Sequence, residues 1–246
     1  MEIVSPDASH IPGLRQLWKL SFGDADAFLD AFFESAFAPE RCRCIVEDSV
    51  TAALYWFDCS CNGRKMAYLY AVATHPDHRG KGLCRQLMAD THAFLRERDY
   101  GAALLVPQDT GLRHMYAAMG YRNATSVSEF SCEAGVPVPL KEVAAEEYAV
   151  LRRKYLPENG VVQEGANLRF LHTYAKFYAG ERFLAAVSET HIVELLGDRD
   201  AASGLLAALN TASGTVRMPG NESPFAMFYP LKENVTMPSY FGIAFD

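Results

Sequence analysis

Apolar residues at Ile11, Leu14, Leu17, Trp18 and Phe22 follow the three-and-four spacing of one helix face, and "DADAFLDAFFESAF" after them repeats an amphipathic pattern. A strand at "MEIVS" comes first. "RCRCIVED" and "TAALYWFDCSC" read as strands joined by a tight turn at Asp48 and Ser49, which sets Cys44 near Ala53 and Cys42 near Tyr55. Asn62 and Gly63 both tolerate positive φ and favour a two-residue hairpin, so "RKMAYLYAVATH" pairs back on "LYWFDCSC". From Gly82, the residues Leu83, Leu87, Thr91, Phe94 and Leu95 draw a helical stripe that stops around Asp99 to Gly101. "AALLVP" is a buried strand, "LRHMYAAM" a short helix closed by Gly120, and "YRNATSVSEFS" a further strand.

Near "EAGVPVPL" the composition turns to Gly and Pro, which marks a linker and divides the chain into halves at 1–132 and 133–246. The second half predicts helices at "AAEEYAVLRRKYL" and "NLRFLHTYAKFY" and strands at "RFLAAVSE" and "HIVELLG". A helix at "DAASGLLAALNTA" and strands at "TVRMP", "FAMFYPL" and "YFGIAFD" follow. The fold class is α/β, and the element order of the second half echoes that of the first.

Composition adds bounds. Half the residues are apolar and 22% are charged, which suits a globular chain with a full core. A net charge of −7 argues against nucleic acid and favours cationic small molecules. No basic leader followed by an apolar run opens the chain and no stretch of roughly 20 apolar residues occurs, so a cytoplasmic protein without a membrane partner is expected. The two CxC pairs, Cys42/Cys44 and Cys59/Cys61, sit on strands whose register keeps the sulfurs from converging, so reduced thiols are expected and a metal is not.

The chemistry concentrates in "HPDHRGKGL", residues 75–83. A P-loop would need Ser or Thr after the lysine, and Gly82-Leu83 breaks that pattern. His75, Asp77 and His78 have metal-ligand chemistry but no evident further ligand. An anion cradle fits, with glycines letting the backbone approach a phosphate at the start of a helix. On the residues alone a plain strand-to-helix turn fits as well.

"YAVATHPDHRGKGLCRQL" followed by "MYAAMGY" resembles the GNAT superfamily of acetyl-CoA-dependent N-acetyltransferases over residues 1 to about 131. The family signature of Arg or Gln, two residues, Gly, one residue, then Gly or Ala falls on Arg79–Cys84, with Cys84 departing at its last position. The resemblance implies a mixed, mostly antiparallel central sheet flanked by helices. It implies that the pyrophosphate of coenzyme A rests on the N–H groups of Arg79, Gly80, Lys81, Gly82, Leu83 and Cys84. The pantetheine arm would then pair like an added strand along Val72, Ala73 and Thr74, with Val72 and Thr74 as backbone partners. A tandem arrangement with a degenerate second half is similar to the enhanced-intracellular-survival type of acetyltransferase.

Acetyl transfer needs a neutral amine, a stabilised oxyanion and a proton for the leaving thiolate. The resemblance gives that proton to Tyr116. The family's asparagine before this helix is replaced by Asp109 or Thr110, and its strand glutamate is missing, with only Tyr68 and Tyr70 on "KMAYLYAVAT". In the tandem relatives the C-terminal carboxylate is the base, which points to Asp246 here. Asp26, Asp30 and Glu34 recur along one helix face, as a solvated surface or as the rim of an acceptor site; Phe28, Phe32 and Phe33 read as core. Cys84 at a helix start has the position of an activated thiolate, but the resemblance puts it beside the phosphates. The expected function is direct acetyl transfer from acetyl-CoA, a co-substrate, to a small-molecule amine or a protein lysine. The alternatives are a non-catalytic acyl-CoA sensor or assembly module and, disfavoured by the acidic balance, an aminoacyl transferase. The second half would shape the acceptor site or a homo-oligomer interface.

Overall fold

The computed structural model describes residues 1–245. Strand β1 (Glu2–Val4) leads into helices α1 (Ile11–Phe22) and α2 (Asp26–Ser35), then strands β2 (Cys42–Val46), β3 (Val50–Cys61) and β4 (Arg64–Thr74). Helix α3 (Leu83–Glu97), strand β5 (Ala102–Leu105), helix α4 (Thr110–Ala117) and strands β6 (Arg122–Asn123) and β7 (Ser126–Glu133) complete the first half's sequence. There follow β8 (Lys141–Val143), α5 (Ala145–Tyr155), β9 (Val162–Gln163), α6 (Ala166–Leu171), β10 (Lys176–Ala179), β11 (Phe183–Ser188) and β12 (His191–Gly197). The last elements are α7 (Ala201–Ala208), β13 (Ser213–Pro219), β14 (Ser223–Pro224) and β15 (Met227–Pro230). Among the described residues no helix is long and apolar enough to cross a membrane.

The early register is the expected one: Cys42 faces Tyr55 and Cys44 faces Ala53, and the β3–β4 hairpin turns through Asn62 and Gly63 at φ 49° and 73°. Two mixed sheets result. One runs β1-β2-β3-β4-β5-β15-β6, with β9 beside β3, and the other runs β14-β7-β13-β12-β11-β10-β8. The two halves exchange strands. β15 inserts between β5 and β6 of the first sheet, while β7 leaves that sheet to pair with β13 of the second. The expected single strand "YRNATSVSEFS" is therefore interrupted, and the N–H groups of Ala124 and Thr125 both donate to the Ala226 carbonyl at the crossing.

Two further expectations change. "NLRFLHTYAKFY" is helical only to Leu171, because Lys176–Ala179 pairs with β11 and β8. Tertiary pairing there overrides a helical periodicity. "YFGIAFD" is not a strand over the described residues, apart from one bridge between Tyr240 and Gly160. It is an apolar coil, buried at Phe241, Ile243, Ala244 and Phe245 among Phe57, Tyr68 and Phe170.

On the other face of the first sheet, His92 of α3 fastens the inserted strand by stacking on Tyr229 of β15 at 4.1 Å and hydrogen bonding the Tyr121 hydroxyl at 2.8 Å. Burial, aided by the nearby Arg96 charge, lowers its pKa to about 4. The folded chain therefore holds His92 neutral where the unfolded chain binds a proton. Its contribution is complete above about pH 6.5 and is lost as pH falls from there toward 4, by up to about 3 kcal/mol. Thermal melts from pH 7.5 to 4.5 should show a steeper loss of stability in wild type than in His92→Gln; parallel profiles would refute this.

Candidate active site

β4 pairs in parallel with β5 only from Met66 to Tyr68, and then runs on to Thr74 while β5 ends at Leu105. The two strands diverge because β4 is bulged. Ala71 and Val72 occupy the space between Tyr70 and Ala73 opposite the single residue Leu54, with Ala71 held at φ 48°. The opening this leaves is part of a cavity of about 540 Å³ whose walls include Val72, Leu105, Val106, Gln108, Leu112 and Tyr116. Val72 and Tyr116 are thus brought to one space. Ala73 is buried in the core instead, and the Thr74 carbonyl accepts a hydrogen bond from Arg79 Nε at 3.2 Å.

Beyond Thr74 the chain turns through the signature. Gly80 and Gly82 adopt φ 75° and 80°, conformations that a β-carbon disfavours, and a Cβ on either would project into open space. Arg79, Gly80, Lys81 and Gly82 are exposed, and α3 begins at Leu83 with no side chain capping it and no acidic residue in its first turn. Uncapped N–H groups, the positive end of a helix dipole and the two cations Arg79 and Lys81 make an anion cradle. This arrangement fits the diphosphate of coenzyme A. Cys84 is not an activated thiol: burial pushes its pKa up, with Arg85 opposing.

Tyr116 sits on α4, 6% exposed, with its ring edge-on to Tyr121 at 5.8 Å. Burial, and then the neighbouring Cys84, push its pKa well above the ordinary phenol value, so it stays protonated at neutral pH. Of the two residues before this helix that the resemblance singles out, Asp109 and Thr110, it is Asp109 whose carboxylate caps α4, accepting from the Leu112 N–H at 2.7 Å.

Opposite Tyr116 the cavity is walled by Trp18, Phe28, Tyr68, Tyr70, Tyr174, Ser188, Glu189, Ala244 and Phe245. Both halves contribute. Phe28, which its helix pattern assigned to the core, is only partly buried and faces this space. The acidic stripe of α2 does not: Asp26 pairs with Lys19 at 2.5 Å and Asp30 with Arg15 at 2.6 Å, both on α1. The cavity carboxylates are Asp24, which accepts from Trp18 Nε1 at 2.7 Å, and Glu189 on the β11–β12 turn. Neither lies in a recognisable motif, because each reaches the site through a loop whose path depends on tertiary packing.

Phe245 packs on Phe57 at 4.7 Å and donates its N–H to the Tyr68 hydroxyl at 3.3 Å. Asp246 lies outside the described residues. The segment before it is pinned by Gln163, which bonds both the Ile243 carbonyl at 2.7 Å and the Ile243 N–H at 3.3 Å. Behind this lies a fully buried ion pair. Arg152 donates to both Glu194 oxygens at 2.7 and 2.8 Å, and the Tyr148 and Tyr240 hydroxyls donate to the same carboxylate.

The acetyltransferase (GNAT) domain family matches residues 2–124. No curated protein sequence matches the chain. Among solved structures, a GCN5-related N-acetyltransferase from Kribbella flavida superposes with TM-score 0.71 at 17% identity, over 93% of this chain and 70% of that one. Eis1 from Mycobacterium abscessus gives 0.69 at 11%, over 94% and 74%. A tandem GNAT protein of the clavulanic acid biosynthesis pathway gives 0.56 at 14%, over 95% and 99%. At these identities the likeness speaks for the fold, here a GNAT fold followed by a second GNAT-like half. The matched segment holds the bulged β4, the glycine turn and Tyr116, and on that match this chain belongs to the GNAT acetyltransferase family.

Proposed function

We propose that the protein transfers an acetyl group from acetyl-CoA to a primary amine by direct attack of the neutral amine on the thioester. The observation that carries this reading is one space holding both the unpaired stretch of β4 at Val72 and the buried, protonated Tyr116, next to the open turn of Arg79–Cys84. Backbone groups of the turn hold the diphosphate, and β4 at Val72 and Thr74 holds the pantetheine like an added strand. That seats the thioester carbonyl between Tyr116 and the aromatic wall.

As the amine nitrogen bonds to the carbonyl carbon and the carbon–sulfur bond breaks, the Tyr116 hydroxyl gives its proton to the departing sulfur. The amine's proton goes to the carboxylate of Asp246, the residue following the cavity-lining Phe245. Asp24 and Glu189 draw the cationic amine to the mouth before it is deprotonated. The second half completes the acceptor wall with Tyr174, Ser188, Glu189, Ala244 and Phe245.

A calorimetric titration tests this reading. Acetyl-CoA and CoA should bind with micromolar-range constants, as is common for enzyme substrates, and amine-dependent thiol release should follow. Gly82→Ala should weaken binding by up to about tenfold, because an alanine relieves the roughly 1–2 kcal/mol strain of this positive φ by moving the free turn out of the cradle conformation, and binding must restore it. Absence of binding by either ligand would refute the proposal.

A further inference from the structure

The acceptor end of the cavity has a composition that selects among amines. Five aromatic rings form a continuous arc along its wall. Tyr174 meets Phe28 at 5.8 Å, Phe28 meets Trp18 at 6.5 Å, Trp18 meets Tyr70 at 5.6 Å, and Tyr70 meets Phe245 at 5.4 Å. Among the described residues lining the cavity there is no Lys, Arg or His, and the carboxylates are Asp24 and Glu189. Asp26 and Asp30, which would have given a polycation further partners, are neutralised on α1 and lie outside the cavity.

We infer that the acceptor is a monoamine with a flat apolar body, of the arylalkylamine class, and that the aromatic arc is its specificity determinant. An ammonium group gains from ring faces and from Asp24 or Glu189, while a planar body gains by stacking on Trp18, Phe28 or Tyr174. A polyamine or polyhydroxylated polycation would have to strip water from several charges or hydroxyls against a largely apolar wall that offers Asp24 and Glu189 as its carboxylates. The Asp24 carboxylate is itself oriented by the Trp18 N–H, which couples the charge-recognising group to the ring that flanks it. Tyr174 closes the arc on the side of the second half, so that half takes a direct part in choosing the acceptor.

This inference rests on the acetyl-transfer reading, and its test separates the two. Thiol release at fixed acetyl-CoA is measured with 2-phenylethylamine, tryptamine, spermidine and Nα-acetyl-lysine amide. The aryl amines should show kcat/KM at least about tenfold above the other two, the size expected when ring contacts are gained without new charge. In Tyr174→Ser the KM for 2-phenylethylamine should rise several-fold with kcat retained. An unchanged heat of CoA binding would show that this variant is folded. In a Trp56→Phe background, which leaves Trp18 as the single tryptophan, a change of fluorescence with 2-phenylethylamine but not with spermidine gives a readout independent of turnover. Equal or higher kcat/KM for spermidine or the lysine amide, with CoA binding intact, overturns the inference and leaves acetyl transfer standing. No CoA binding and no thiol release with any amine overturns both.

Discussion

Tyr116→Phe should lower kcat by about a hundredfold or more, while acetyl-CoA binds as it does to wild type. General acid catalysis by a positioned side chain contributes roughly 10²–10⁴, and the substitution deletes only the proton that would be delivered to sulfur. The phenyl ring keeps its edge-on contact with Tyr121 and its place in the core that also holds Leu83, Leu87 and Leu105, so the fold loses almost no packing. Burial holds the Tyr116 hydroxyl protonated across the neutral range, so rising pH should not remove the acid before other groups titrate. The result also decides between an enzyme and an acyl-CoA sensor on the same scaffold. A sensor would have no amine-dependent thiol release to lose. Wild-type turnover in Tyr116→Phe would show that sulfur leaves without this proton.

Much of the first half was legible in the sequence because its contacts are local. The apolar spacing of α1, the Asn62-Gly63 hairpin and the register of β2 on β3 each follow from residues a few positions apart. The glycine turn was legible for the same reason: Gly80 and Gly82 are required by the backbone path itself. The strand exchange was not, since β15 reads as an ordinary apolar strand wherever it pairs and nothing in "FAMFYPL" says that its neighbours are β5 and β6. The same holds for the cavity carboxylates. Asp26, Asp30 and Glu34 stand out by periodicity, yet Asp24 and Glu189 face the cavity because of how the α1–α2 and β11–β12 loops fold against the other half. Local pattern specified the glycine turn, whereas the far wall of the cavity depends on packing between distant segments.

That packing leads to the largest stability change expected in the protein. Glu194→Ala should destabilise the fold by about 3–5 kcal/mol, because it leaves Arg152 charged and without its counterion in the interior. Arg152 is 1% exposed and Glu194 fully buried, so water cannot replace the lost carboxylate. The Tyr148 and Tyr240 hydroxyls lose their acceptor together with Arg152. For a chain of this size a loss of that order lowers Tm by roughly 10 °C. The effect should also reach the active site. Tyr240 anchors the coil that carries Ala244 and Phe245 into the cavity wall, and Arg152 also donates to the Gln163 side chain that pins Ile243. Gly242→Ala probes this coil separately: a Cβ there collides with Glu194 Oε1 and the Tyr240 hydroxyl, so the coil must shift even with the ion pair intact. Both variants should raise KM for the amine while leaving the affinity for CoA unchanged, since the glycine turn and the Val72 edge of β4 lie in the other half. An unchanged Tm in Glu194→Ala would mean that Arg152 finds another partner. A wild-type amine KM in Gly242→Ala would mean that the wall formed by Phe245 is not held through this coil.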